Sequence, residues 1–152
     1  MKKRFLLPTS ASGQSLVELA VSLVVLIYLL SGAVELGLTF FQYVQLRDAA
    51  QEGALYGSTQ TTRDLDAIKT RVRSASSSPI NLADTTNVLI DITGSDPANN
   101  PKDAALTCES DGLTVTVSYP HKVFMPFMSK FIGDTITLHA SVTDTVLVPI
   151  CP

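Results

Sequence analysis

Apolar side chains fall into two rhythms along this chain, one long and unbroken, the other short and alternating. Leu19 to Val34 carries no charged residue, and continuing to Leu46 adds only Glu35. At about 1.5 Å per residue, a helix over that stretch is long enough to cross a hydrocarbon layer about 30 Å thick. The helical pattern reaches about Gly57 and changes on the way, because Ala49, Gly53 and Gly57 recur every four residues. Residues so spaced share a helix face, and small side chains there let another backbone come close. Either a helix of another subunit or the chain's own sheet can use that face. The second is favoured, since the helix should have left the membrane by then.

Beyond the helix the period shortens. Thr62 or Asp64 can cap a short helix to about Ala75, with Leu65, Ile68 and Val72 as its apolar stripe and Arg63, Lys69, Arg71 and Arg73 beside it. Those basic residues read as a solvated face, the alternative being lipid head groups. Asn87 to Thr93 predicts a strand with Val88, Ile90 and Ile92 on one side. The stretch Gly94 to Gly112 is a polar loop, too long for a hairpin turn and too polar for core. Leu113, Val115, Val117 and Tyr119 alternate with Thr114, Thr116 and Ser118, and Ile136, Leu138, Ala140 and Val142 repeat the period-two pattern. Three antiparallel strands of this kind need a helix over their apolar face. The expected fold class is therefore α+β: a long N-terminal transmembrane helix continuing into a small antiparallel sheet domain.

Between the last two strands lie Phe124, Met125, Phe127, Met128, Phe131 and Ile132. Helical spacing predicts a short helix after Pro126. Core packing is the default for these six side chains. The sharper reading is a sticky surface for another protein or for the outer membrane leaflet, because a small sheet cannot bury them all.

At 152 residues the chain has room for one modest core on an anchor. The organisation predicted is residues 1–13 as a leader, 14–57 as transmembrane and extended helix, and 58–152 as a small α+β domain. A formal net charge of −3 argues against nucleic-acid binding, and Lys2, Lys3 and Arg4 are the tightest basic cluster. That flanking charge predicts a cytoplasmic N-terminus and a translocated C-terminal domain. No enzyme, cofactor or metal is indicated. His121 and His139 stand isolated in sequence, and no triad, paired-carboxylate or phosphate-loop spacing occurs.

The stretch Gly13-Gln14-Ser15-Leu16-Val17-Glu18 joins the basic tail to the apolar run. A carboxylate inside an apolar segment costs roughly 2.5 to 3.5 kcal/mol at mid-membrane on insertion scales, so Glu18 asks for a cation. A cut after Gly13 would create an α-ammonium on Gln14, which could meet Glu18 of a neighbouring subunit. A cleaved secretory signal and an uncleaved signal anchor are the plainer readings of the same segment. The second explains everything except Glu18 and the Gly13 context.

These residues carry a resemblance. Gly13 before the cut, Glu18 as the fifth residue after it and the helix starting there resemble the type IV prepilin pattern, with Gln14 standing where the broader type IV pilins favour Phe. Ala49-Ala50-Gln51-Glu52-Gly53-Ala54-Leu55-Tyr56-Gly57 resembles the small-residue block of TadE-like pseudopilins of the tight-adherence system. The ending, a strand closing on Tyr119-Pro120, an apolar excursion and a strand over Ile136 to Val148, is also similar. The resemblance implies a minor pilin or pseudopilin incorporated into or priming a tight-adherence pilus, for adhesion or biofilm formation. It implies as partners other pilin subunits, a second minor pilin, prepilin peptidase, the assembly platform in the inner membrane, and membrane lipid. The implied location is the bacterial inner membrane as a single-pass protein, then the cell-surface pilus. The abundant pilins of this type are much shorter and nearly all helix, which points to a minor component. The alternative is an uncleaved, membrane-anchored structural or adhesive envelope protein that does not polymerise.

Cys108 and Cys151 complete the sequence-level expectations. If the Leu113 and Ile136 strands pair antiparallel, the start of one lies beside the end of the other, bringing both cysteines to one edge of the sheet. In an oxidising compartment an intramolecular disulfide is expected. Two free thiols or a bridge to another subunit are the alternatives.

Overall fold

The computed structural model describes residues 11–125 and 129–148. One helix, α1 (Ala11–Thr59), runs without interruption for 49 residues. No proline interrupts it, and a segment of this apolarity in lipid must pair its backbone groups internally, which a helix does. Its two halves face different surroundings. From Leu16 to Leu30 its large apolar side chains are exposed, whereas Leu46, Ala49, Ala50 and Ala54 are almost completely buried.

A second helix, α2 (Leu65–Ser74), starts at Asp64, whose carboxylate accepts from the backbone N–H groups of Asp66 and Ala67. The side chain thereby satisfies two amides that have no partner within the helix. Ile68 and Val72 are its buried residues. Four strands follow in an antiparallel sheet: β1 (Leu89–Ser95), β2 (Pro101–Lys102), β3 (Gly112–Lys122) and β4 (Thr135–Thr145), in spatial order β2-β1-β3-β4. The β1–β3 register sets Ile90 opposite Val117 and Ile92 opposite Val115, and the β3–β4 register sets Val115 opposite Val142 and Val117 opposite Ala140. Leu113, Val115, Val117 and Ala140 meet Leu46, Ile68 and Val72 in a single core. The opposite face is hydroxylated: Thr114 bonds Thr143 at 2.7 Å, Thr116 bonds Ser141 at 2.9 Å, and Ser118 bonds His139 at 2.7 Å.

The segment Gly94 to Gly112 differs from the polar loop expected of it. Asp96 organises a turn by accepting from Ala98 N and Asn100 N, with Asn99 in the left-handed region at φ 63°. That turn folds β2 back onto β1. A 3₁₀ turn at Ala104–Leu106 then buries Ala104 and Thr107. Strand β1 also begins later than expected, at Leu89, with Val88 already buried before it. The connection after Pro126 contains a single helical turn, α3 (Ser129–Ile132).

Candidate functional site

The chemistry expected at the start of the chain falls on α1. Gly13 and Gln14 are exposed there, and a methyl group added at Gly13 would meet nothing within 4 Å. Glu18 lies one turn further along. Its carbonyl accepts from Ser22 Oγ at 2.8 Å, and its carboxylate has no ion-pair partner among the described residues. Lys2, Lys3 and Arg4 lie outside them.

Glu35, the second carboxylate of the apolar run, is buried. The structure gives it a partner inside the chain. Glu35 Oε1 accepts from His121 Nε2 at 2.8 Å and from the backbone N–H of Phe124 at 3.3 Å. His121 Nδ1 lies 2.6 Å from Gln42 Oε1, and Thr39 Oγ1 lies 3.3 Å from Nε2. The contact with Glu35 lies almost wholly out of solvent, with the His121 side chain 1% and the Glu35 side chain 10% exposed. Reading His121 as isolated was therefore wrong. His121 ends the inward-facing series Leu113, Val115, Val117, Tyr119, and that parity was the available signal. His139, on the opposite parity, bonds Ser118 on the outer face.

The apolar connection is the next departure. Met125 is buried, but Phe124 is 75% exposed and Ile132 46% exposed, so core packing fails for these two. Phe127 and Met128 lie outside the described residues, as does the side chain of Phe131. Phe124 and Met125 form one wall of a groove of about 590 Å³ whose other wall is α1 from Ile27 to Leu38.

On the opposite half of α1, the small residues seat the head. Ala49 is buried in the core. A methyl group at Gly53 would collide with Val72, and one at Gly57 would strike Leu113 and come within 2.8 Å of Ile68 Cδ1. This close approach is to α2 and β3 of the same chain. Arg63 is not part of a solvated face either. Its guanidinium donates to Gly57 O at 2.6 Å, Val148 O at 2.7 Å and Thr107 O at 3.4 Å, joining the end of α1 to two later segments. Burial pushes its pKa down, and nearby Asp111 opposes that shift. Arg71 pairs with Glu52 at 2.6 Å, and Arg73 donates to Leu82 O at 3.0 Å.

Asp111 is buried beside Cys108. The Lys102 ammonium at 2.5 Å, and then the backbone N–H of Cys108 at 2.7 Å, hold its carboxyl below the ordinary carboxylate range. Ser110 N donates to Val146 O at 2.9 Å, so the chain leaving β4 returns past the Cys108 loop. Cys151 lies outside the described residues.

Residues 13–55 match the family model described as TadE-like protein. The match bears out the resemblance over the anchor and most of the small-residue block, and it ends at Leu55, before the sheet domain begins. No curated protein and no solved structure matches the chain. The apolar helix near the N-terminus fits a single-pass membrane anchor.

Proposed function

We infer that this TadE-like chain is a minor pilin or pseudopilin: a precursor held in the inner membrane by α1, cut between Gly13 and Gln14 by prepilin peptidase, and then incorporated into or priming a tight-adherence pilus. The observation that carries this reading is Glu18, a carboxylate exposed on an otherwise uncharged stretch of helix with no cation beside it among the described residues. In a lipid surround that charge is costly unless neutralised. Gln14 precedes Glu18 by about one helical turn, so an adjacent subunit offset by about that rise would bring the ammonium created on its Gln14 to this carboxylate. The other partners would be further pilin subunits, a second minor pilin and the assembly platform.

Mass analysis of the mature N-terminus is the primary test. Loss of Met1 to Gly13 supports the reading, and retention of Met1 in the native protein sinks it in favour of an uncleaved envelope anchor. Replacing Gly13 by a bulky residue should leave the precursor uncut. Glu18→Ala should insert in the membrane at least as well as the parent and fail to enter pili. Glu18→Gln nearly keeps size and isolates the charge.

The disulfide proposal stands beside this reading. The Ser110–Val146 hydrogen bond supports it, since it brings the segment leading to Cys151 past the Cys108 loop. Non-reducing peptide mapping of protein from the envelope should recover the Cys108 and Cys151 peptides joined within a monomer, and two alkylated thiols would refute the bridge. Such a cross-link commonly contributes about 2 to 4 kcal/mol.

A further inference from the structure

The groove between α1 and the β3–β4 connection has a definite depth along the helix. If the hydrocarbon layer begins at Leu19, where the uncharged run starts, about 30 Å at about 1.5 Å per residue ends near Leu38. Of the helix wall of the groove, Leu30, Val34 and Leu38 then occupy the half of the layer nearest the head, and Ile27 lies just short of the midplane. Phe124 and Met125 face them, so this part of the head shares their depth. The groove is continuous with the bare helix below it, where Leu23, Val24, Leu26 and Ile27 are all more than half exposed. Glu35 agrees with this placement, because its carboxylate is shielded by His121 and the backbone of Phe124 where open water would otherwise be needed.

We propose that the groove is filled by phospholipid acyl chains of the leaflet nearest the head, so that Phe124 and Ile132 form an apolar foot inserted in the membrane before assembly. The head stands in the bilayer surface, and the Glu35–His121 pair fixes how deep it stands. This inference rests on α1 spanning the membrane as a single-pass anchor.

The chain contains no tryptophan, so each introduced Trp is a sole reporter. Full-length Phe124→Trp and Ile132→Trp, both at exposed positions, would be reconstituted in phosphatidylcholine vesicles whose acyl chains carry bromine. Leu26→Trp in the bare span and Leu106→Trp on the 3₁₀ turn serve as references. Leu106 precedes β3, whose first half lies by Gly57 at the distal end of α1. The expected result is quenching of the Phe124 and Ile132 reporters several-fold stronger than that of Leu106 and approaching that of Leu26. If Leu26→Trp is quenched while both foot reporters behave like Leu106→Trp, the foot is outside lipid and this inference alone fails. If Leu26→Trp also escapes quenching, the spanning anchor fails and takes this inference with it. Foot reporters shielded from bromine only at high protein-to-lipid ratio would show a second copy of the chain displacing lipid. Shielding at every ratio would make that copy, not lipid, the occupant and overturn the proposal.

Discussion

The two halves of α1 invert the usual relation between side-chain size and burial. The proximal half presents Leu, Val and Ile outward, while the distal half buries Ala49, Ala50, Gly53 and Ala54 against the sheet. Large apolar residues suit a lipid surround, which needs no close partner. Small ones allow helix and strand backbones to approach until Val72 and Leu113 touch the helix itself. Apolarity alone therefore does not show which part of α1 seats the head; the cluster of small residues beside Leu46 does.

The largest expected effect comes where the two halves meet. Glu35→Ala leaves both the buried His121 ring and the Phe124 N–H without their acceptor and, at about 1 to 3 kcal/mol each, should destabilise the head by about 2 to 6 kcal/mol in denaturant titration of the full chain in detergent. Removing both members, as Glu35→Met with His121→Leu, should recover most of that loss. A double variant as weak as the single one would show that the pair is not what holds the junction. Leu46→Ala tests the distal half and should cost about 2 to 5 kcal/mol, whereas Leu26→Ala in the bare half should leave unfolding of the head unchanged. Equal effects would erase the contrast. Gly57→Ala sharpens it further: helix propensity favours Ala by up to about 1 kcal/mol, but overpacking against Leu113 and Ile68 costs about 1 to 3, so a net loss is expected. Gly37→Ala, with nothing within 4 Å, should show no such loss.

The smallest effect is a pH dependence of the head alone. Asp111 has a folded pKa held below that of the unfolded chain, first by Lys102. The unfolded state therefore binds more protons as pH falls. The stability from this group is present above the ordinary carboxylate pKa of about 3.9 and is lost as pH drops through the lower folded value. Thermal unfolding between pH 5 and pH 2 should show Asp111→Asn with a flatter acid dependence than the parent, and parallel curves would remove Asp111 from the acid transition.

Much of the head was legible because its signals are local. The alternation from Leu113 to Tyr119 and from Ile136 to Val142 marks β3 and β4, and Asp64 marks the start of α2. What escaped reading depends on distant partners. Glu35 and His121 are 86 residues apart, and neither has a neighbour in sequence that announces the other. The β2 strand is two residues long and is held by the Asp96 turn and the Lys102–Asp111 pair, so no periodic pattern could reveal it. Arg63 looked like one of four surface cations because its three carbonyl acceptors come from segments up to 85 residues away. The exposure of Phe124 could not be separated from burial by hydrophobicity, which is the same in either setting.

The continuity of α1 also has a mechanical meaning. A rod of 49 residues measures about 73 Å at about 1.5 Å per residue, and helices bend sharply at few kinds of place, adjacent Gly and Ser among them. Ser31-Gly32 is such a joint in the middle of the apolar run. Phe124 and Met125 face α1 from Ile27 to Leu38, on both sides of that joint, and Glu35 ties the same segment to β3 just beyond it. The head acts as a splint across this joint. A pull or twist applied near Gln14 therefore reaches the sheet as rigid-body motion, with little of it absorbed by bending on the way.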